Sequence, residues 1–412
     1  MATVAENLQT IIDSTEAIKQ AIIDKGGTIS GGLTTYADAI KNISGGDASQ
    51  EPDMPIIGDG KTYLYISVTN TLQVQVPLYF NQTVSNGVEI DWGDNTSIKT
   101  ISGTGNVNTT HTYNKIGDYV ISLSPKSGCT MRLGSTSSGT CVMGSTAETN
   151  KIYRSYLKKV ELGTVGNLLL ARTFSECSSL SAIYIPNGIT EIKTSVFYNC
   201  ISLLSITLPD SVTSISDYAF YNCVSLQNII IPDSVTSISA NAFANCYSLQ
   251  NVTLPSSITT ISNYAFYKCY TLKNITIPSS VISLGNRAFM YCTLPNIQLP
   301  NNLTSIGSES FSECHSLTSI AVPPSVTSIG DKAFYNCKCL HVYDFSNHTE
   351  IPSLGTDVFT GMPVGSKIIV PDSLYYSWIA ATNWSTYANY TIKKSDWDYG
   401  IIISGGSGGS SN

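Results

Sequence analysis

Charge is scarce in this sequence. Asp, Glu, Lys and Arg make up only 12% of 412 residues, with a net charge of −7 and a pI near 5.1. A surface built to neutralise phosphates is basic, so nucleic acid is not an expected partner. No run of 18 apolar residues occurs, which argues against membrane insertion. Only four histidines are present, His111, His315, His341 and His348. None lies in a G-x-S-x-G or H-E-x-x-H context, and no P-loop or dinucleotide fingerprint occurs. The carboxylates are scattered, with no pair placed by a regular spacing. Without a nucleophile, base and oxyanion donors to assemble, the sequence reads as a non-enzyme with no cofactor. Paired C-x-x-C spacing is missing too; Cys337-Lys338-Cys339 stands alone, so no metal site is expected. The first residues, Met1 through Leu8, lack the basic and apolar regions of a signal peptide. On that reading the chain is made and assembled in a cytoplasm rather than exported by a leader.

What is present is repetition. Cys177, Cys200, Cys223, Cys246, Cys269, Cys292, Cys314 and Cys337 are separated by six intervals of 23 residues and one of 22. The short interval follows Cys292. A phenylalanine stands three residues before each cysteine, from Phe174 to Phe334. Self-similarity with a period in the twenties is the signature of a solenoid. Within one coil, Leu226, Ile229 and Ile231 point inward and Asn228 and Ile230 outward. Pro232 ends the strand because it has no N–H for the next rung. Val235 and Ile238 return inward on the opposite wall, and Ala242-Phe243 with Cys246 closes the coil, read here as a short helical turn. No coil buries these side chains alone; stacking makes one core. Rungs spaced as strands are, roughly 4.8 Å apart, give eight coils a length of about 40 Å.

The pattern L-x-x-I-x-I-P-x-S-V-T-S-I-x-x-x-A-F-x-x-C resembles the BspA-like group of leucine-rich repeats, found in surface proteins of gut and oral bacteria, in some protists and in phages of gut bacteria. The resemblance covers about 190 residues. It implies a fold far more than a function, because a solenoid is a scaffold for sites.

The rest of the chain is organised around this array. Residues 1–46 form a helical anchor or oligomerisation segment, in which Leu8, Ile11, Ile18 and Ile22 lie along a coiled-coil seam. A piece this short cannot build its own core and needs copies of itself or a docking site. Its run from Ile18 to Ile43 resembles amino-terminal segments of phage tail and fibre proteins. Residues 47–60 are a linker by composition. Residues 61–127 alternate as strands, with Trp92-Gly93-Asp94-Asn95-Thr96, His111-Thr112-Tyr113 and Gly117-Asp118-Tyr119-Val120 as landmarks. This order resembles the PKD-type immunoglobulin-like sandwich, where the positions of Asp91, Asp94 and His111 serve turns and core rather than metal or catalysis. Residues 128–150 read as a connecting hairpin and 151–345 as the repeats. Residues 346–395 read as a C-terminal cap, whose I-V-P-D-S-L-x-x-x-W-x-x-A-T-N-W ending is similar to the ends of BspA-like proteins. Residues 396–412 are a flexible Gly/Ser tail. The predicted fold is therefore mainly β: a leucine-rich-repeat solenoid of 23-residue repeats behind a PKD/Ig-like β-sandwich and a short N-terminal helical segment.

The repeat cysteines read as a ladder of small buried hydrophobes, although neighbours about 5 Å apart lie within disulfide range. Whether Cys129 and Cys141 pair is left open. Two outward columns are candidate ligand surfaces. The strand face carries Asn228, Asn251, Asn274 and Asn296 beside Thr253 and Thr276, a flat uncharged ribbon that matches a glycan's hydroxyls or, equally, hydrogen-bonds along its own stack. The second column is Tyr198, Tyr221, Tyr267 and Tyr335, either a recognition surface or packing between coil corners. The expectation is a virion fibre or appendage protein anchored to other virion proteins by its N-terminus. It would form a homo-oligomer, with a trimer favoured, and present the solenoid to a host-surface glycan or protein. A bacterial BspA-like adhesin and a ligand-free capsid decoration are the alternatives.

Overall fold

A computed structural model describes residues 59–69, 74–135, 140–145, 151–163 and 168–398. The chain divides into two units, Met1–Pro55 and Ile56–Asn412, and all described residues belong to the second. The expected N-terminal helical segment with Leu8, Ile11, Ile18 and Ile22 lies outside the described residues, as does the tail beyond Asp398; the first residues given to that tail, 396–398, instead end the helix Lys394–Asp398.

The N-terminal part of the described unit is two sheets with a shared core. Strand β1 (Thr62–Val68) alternates buried and half-buried residues along its length, the period of a sheet with one covered face. It pairs antiparallel with β6 (Gly117–Pro125), which pairs with β3 (Val88–Asp91), itself edged by β4 (Lys99–Ile101). The second sheet places β2 (Val74–Gln82) between β5 (Gly105–Tyr113) and β7 (Met131–Leu133). Leu64, Ile66, Ile90, Ile121 and Leu123 from the first sheet meet Val76, Leu78, Phe80 and Met131 from the second, all buried.

The Trp92 turn is a packed clip. Trp92 stacks on His111 at 4.8 Å, and the Tyr113 hydroxyl donates to the Trp92 carbonyl at 2.8 Å. Asp91 accepts the Gly93 amide, while Asp94 accepts from Thr96 and lies 2.7 Å from His111 Nε2. Gly93 has φ +74°, and any Cβ there would collide with the Val120 carbonyl, so only glycine makes the turn.

The solenoid grows directly out of both sheets. Strand β7 falls within residues 128–150, read from sequence as a connector, yet it is a full member of the second sheet. A two-residue hairpin, β8 (Thr140–Cys141) and β9 (Gly144–Ser145), follows it. After a short helix, Lys151–Arg154, β10 (Leu157–Glu161) adds antiparallel to β1. Then β11 (Leu168–Leu169) adds parallel to β7, and β12 (Ala182–Tyr184) adds parallel to β10. The two walls of the solenoid thus begin as the next strands of the two sheets, which covers the β1 and β7 edges while β4 and β5 remain the outer edges.

Each further coil repeats three walls. The first carries Asn228–Ile230, Asn251–Thr253 and Asn274–Ile275 in parallel register. The second runs through Thr260–Ile261, Ser283–Leu284, Ser305–Ile306, Ser328–Ile329 and Ser353–Leu354. The third is not the helical turn expected from Ala242-Phe243. It is a run of tight turns with a left-handed residue five positions before each cysteine and another one before it, from Arg172 and Glu176 to Lys332 and Asn336. Alternate amides in this wall bond up the stack: Tyr218, Phe220 and Asn222 donate to the carbonyls of Ala240, Ala242 and Ala244. A helix would spend those amides within its own coil. The left-handed residues break the helical path, so the amides reach the next coil instead.

Inside, Phe174, Phe197, Phe220, Phe243, Phe266, Phe289, Phe311, Phe334 and Phe359 form one stack with centroids 5.2 to 5.9 Å apart. Beside it each ladder thiol from Cys200 to Cys337 donates to the carbonyl of a phenylalanine in the preceding coil, at 3.0 to 3.3 Å. All described cysteines are free. Cys141 does not pair with Cys129; it reaches Cys177 and extends the ladder back into the hairpin. The ladder cysteine is therefore a hydrogen-bond donor of small volume as well as a hydrophobe.

The 22-residue coil leaves a mark on one wall only. Lys273 donates its amide to Gln250. One coil on, the same place is held by Pro295, which has no N–H to give. The first wall stops at Asn274–Ile275 and restarts as a separate sheet at Ser319–Ala321. At the far end, Trp378 and Trp384 bury fully against Phe345 and Phe359, and the Trp384 indole donates to the Pro352 carbonyl at 2.8 Å. Thr391–Lys393 pairs with Lys367–Val370 as the last rung.

Candidate functional site

The asparagine ribbon is exposed along its length, as the strand parity requires. Asn251 donates its side-chain amide to Asn228, and Asn274 donates to Asn251 at 2.6 Å. Asn296 sits exposed in the coil that Pro295 interrupts, outside both sheets of the first wall. Thr253 and Thr276 are exposed alongside. So three of the four asparagines spend part of their capacity on each other. Ile230, 71% exposed, sits in the middle of the ribbon.

The tyrosine column is interrupted, leaving one pair and two single rings. Tyr198 and Tyr221 stack at 5.0 Å and 6°. Ala244 takes the next position, then Tyr267, then Met290 and Ser312, then Tyr335. Tyr267 meets Tyr264 and Tyr291 edge-on, with the Lys268 ammonium 5.2 Å from the Tyr267 ring and 5.7 Å from the Tyr291 ring. Burial, the largest single influence, works to lower the Lys268 pKa, but the hydrogen bond to Tyr267 together with the electrostatics of Tyr267, Tyr270 and Tyr247 outweighs it and the pKa is raised. Tyr335 lies beneath Lys332. All four candidate tyrosines are half-buried.

Apart from Tyr218 and Tyr264, which stand out in the sequence just before Ala-Phe, the column five positions before each cysteine was not legible as a column. Its members include Arg172, Tyr218, Tyr264, Arg287, Glu309 and Lys332, chemically unlike one another while the core beneath them hardly changes. All have positive φ between 55° and 63°, which turns their side chains out of the stack. Arg287 is clamped between the Tyr264 hydroxyl at 2.5 Å and the Glu309 carboxylate at 2.7 Å. Near the start of the array, Arg172, Ser175, Glu176, Ser195, Tyr198 and Tyr218 line a hollow of about 390 Å³. Aligning the repeats on their cysteines would have exposed this column, because Arg172 and Arg287 share one register.

Among the described residues no group of three or more His, Cys, Asp or Glu side chains could hold a metal ion, and no helix is long and apolar enough to cross a membrane. Ionised cysteine is disfavoured from Cys177 to Cys337: burial pushes the Cys246 and Cys337 thiols up to about 12.

A family model described as BspA type leucine rich repeat region matches in six copies over residues 168–294 and 259–378, together just over half of the chain. No curated protein matches the sequence. Similar solved structures include a leucine-rich repeat protein from Bacteroides ovatus, at 20% identity, covering 58% of this chain and 84% of that one with a TM-score of 0.31. A leucine rich cell surface protein from Faecalibacterium prausnitzii has 26% identity, coverages of 55% and 76%, and a TM-score of 0.36. The leucine rich repeat protein of T. pallidum has 27% identity, coverages of 54% and 87%, and a TM-score of 0.33.

Proposed function

The chain belongs to the BspA-type leucine-rich repeat family, and from that premise we propose that it is a non-enzymatic recognition protein that displays its solenoid for adhesion to a host-surface glycan or protein. One observation carries this reading. The inward positions repeat almost unchanged for nine phenylalanines, whereas the outward column of the turn wall changes from Arg to Ser to Tyr to Glu to Lys. A purely structural rod has no need for that contrast; a surface that discriminates ligands does. Location at a cell or particle surface is part of the proposal.

The finer reading is a particle-mounted fibre. Residues 1–46 would attach it to other virion proteins and make it an oligomer, with a trimer favoured. The two-sheet part, read as PKD-like, would act as a spacer. The seam of Leu8, Ile11, Ile18 and Ile22 favours this reading, while the adhesin reading needs only the solenoid. The test is flow cytometry of labelled full chain on gut bacterial and epithelial cells, with light scattering on the same sample. Saturable binding supports adhesion, and absence of binding to every surface refutes it. A trimer supports the fibre form; a monomer removes it and leaves the adhesin.

A further inference from the structure

We propose that the hollow at the first coils binds a carboxylate-bearing sugar, of the sialic or uronic acid type, at the end of a glycan. This deepens the adhesion reading by naming a ligand class and rests on it for biological context only.

The argument starts from two arginines in one repeat register. Arg287 donates to a tyrosine hydroxyl one coil below and pairs with Glu309 one coil above, whose carboxylate neutralises its charge. Arg172 has Ser195 in the place that Glu309 occupies above Arg287. Among the described residues the Arg172 guanidinium has no hydrogen-bond or ion-pair partner, and the side chain is exposed. The other carboxylate of the hollow does not fill the role. Glu176 is held at 2.6 Å by Arg154, whose side chain is fully buried behind it. The pair cancels locally, so the free positive charge is that of Arg172.

The hollow exists because two short residues stand between long ones. Ser195 separates Arg172 from Tyr218 in one column, and Ser175 precedes Tyr198 in the next. About 390 Å³ is at the lower end of small-ligand sites and suits one monosaccharide rather than an oligomer. The hydroxyls of Ser175, Ser195, Tyr198 and Tyr218 have no protein partner among the described residues. A planar guanidinium binds a carboxylate through two parallel hydrogen bonds. Tyrosine rings offer an apolar face to sugar C–H groups and a hydroxyl to sugar oxygens. Four spare hydroxyls around one cation favour a polyhydroxylated acid over an acidic peptide, whose carboxylate would leave most of those hydroxyls unmatched.

The test is calorimetric or NMR titration of the full chain with methyl glycosides of N-acetylneuraminic and glucuronic acid, with their methyl esters and neutral galactose as controls. Binding of at least one free acid, with the ester and galactose at least tenfold weaker, is expected. Arg172→Gln should lose at least tenfold in affinity. Ser195→Glu places a carboxylate where Glu309 stands above Arg287, at a backbone position that already tolerates Glu. It should close the site with no fall in melting temperature. The inference is overturned by equal binding of neutral sugar, by unchanged affinity in a folded Ser195→Glu variant, or by absence of binding to both acids. Preference for an acidic peptide probe over both sugars would overturn it in favour of a protein ligand. Cell adhesion that persists in both variants would sink this site while leaving the adhesion reading intact. Acid binding without cell adhesion would do the reverse.

Discussion

Phe243 is the place to test whether the aromatic stack holds the solenoid together. Its ring is fully buried and lies nearly parallel between Phe220 at 5.2 Å and Phe266 at 5.6 Å. Truncation to alanine removes the ring's burial and leaves a cavity, a loss of about 3–5 kcal/mol in well-packed cores. Two ring contacts go with it, each worth about 0.5–1.5 kcal/mol beyond burial. Because coils touch only their neighbours, the loss falls on two interfaces at once. Phe243→Leu keeps most of the apolar volume, so its expected cost is only the ring contacts and a small misfit, about 1.5–3 kcal/mol. Urea titration followed by far-ultraviolet circular dichroism measures both. Tryptophan fluorescence adds separate probes at Trp92 and at Trp378 and Trp384, at opposite ends of the described unit. If the transitions coincide, a single free energy is defined; if they separate, the coils on the two sides of Phe243 have uncoupled. A cost below about 1 kcal/mol for Phe243→Ala, or equal costs for Ala and Leu, would refute the claim that stacked rings carry the coil interfaces.

Three further outcomes follow from the same geometry. A thiol reagent at neutral pH should label Cys339 quickly, since it is the exposed cysteine among the described residues, and reach the ladder only on unfolding; rapid labelling of several ladder thiols in native protein would contradict the packing. Burial lowers the pKa of His348, against hydrogen bonding to backbone carbonyls, Phe345 O at 3.1 Å from Nδ1 among them, that works to raise it. The unfolded chain therefore takes up that proton first, and stability should fall as pH drops below the usual imidazole value near 6.5, by up to about 1.4 kcal/mol per pH unit until the folded pKa is passed. Midpoints measured from pH 7.5 to 4.5 should show this slope and lose it in His348→Phe; a slope unchanged by the substitution would assign it elsewhere. Finally, a Cβ on Gly330 would approach the Ser308 amide to 2.5 Å and its Oγ to 2.7 Å, so Gly330→Ala should cost about 1–3 kcal/mol by forcing two coils apart; a neutral result in thermal melts would show the coil spacing to be looser than described.

Much of the solenoid could be read without coordinates because its causes are local and repeated. The spacing of Phe and Cys forces coils, and Pro232 and its equivalents mark strand ends. The parity that buries Ile229 and exposes Asn228 follows from the pleat. The candidate site was far less legible. The asparagines and tyrosines were found because they recur, yet the hollow is made by what fails to recur: Ser195 where another coil has glutamate, and Ser175 where the next has tyrosine.

By itself, then, the amino-acid sequence determined the period and the inward side chains, since both depend on residue type and spacing along the chain. Only the tertiary structure decided that the turn wall bonds upward through left-handed residues. It also decided that Cys141 belongs to the ladder, that Pro295 splits one wall and spares the other, and that the solenoid continues both sheets of the part before it. These depend on which backbone groups meet across coils some 23 residues apart, where a single missing N–H or a two-residue strand changes the pairing without altering the pattern in the sequence.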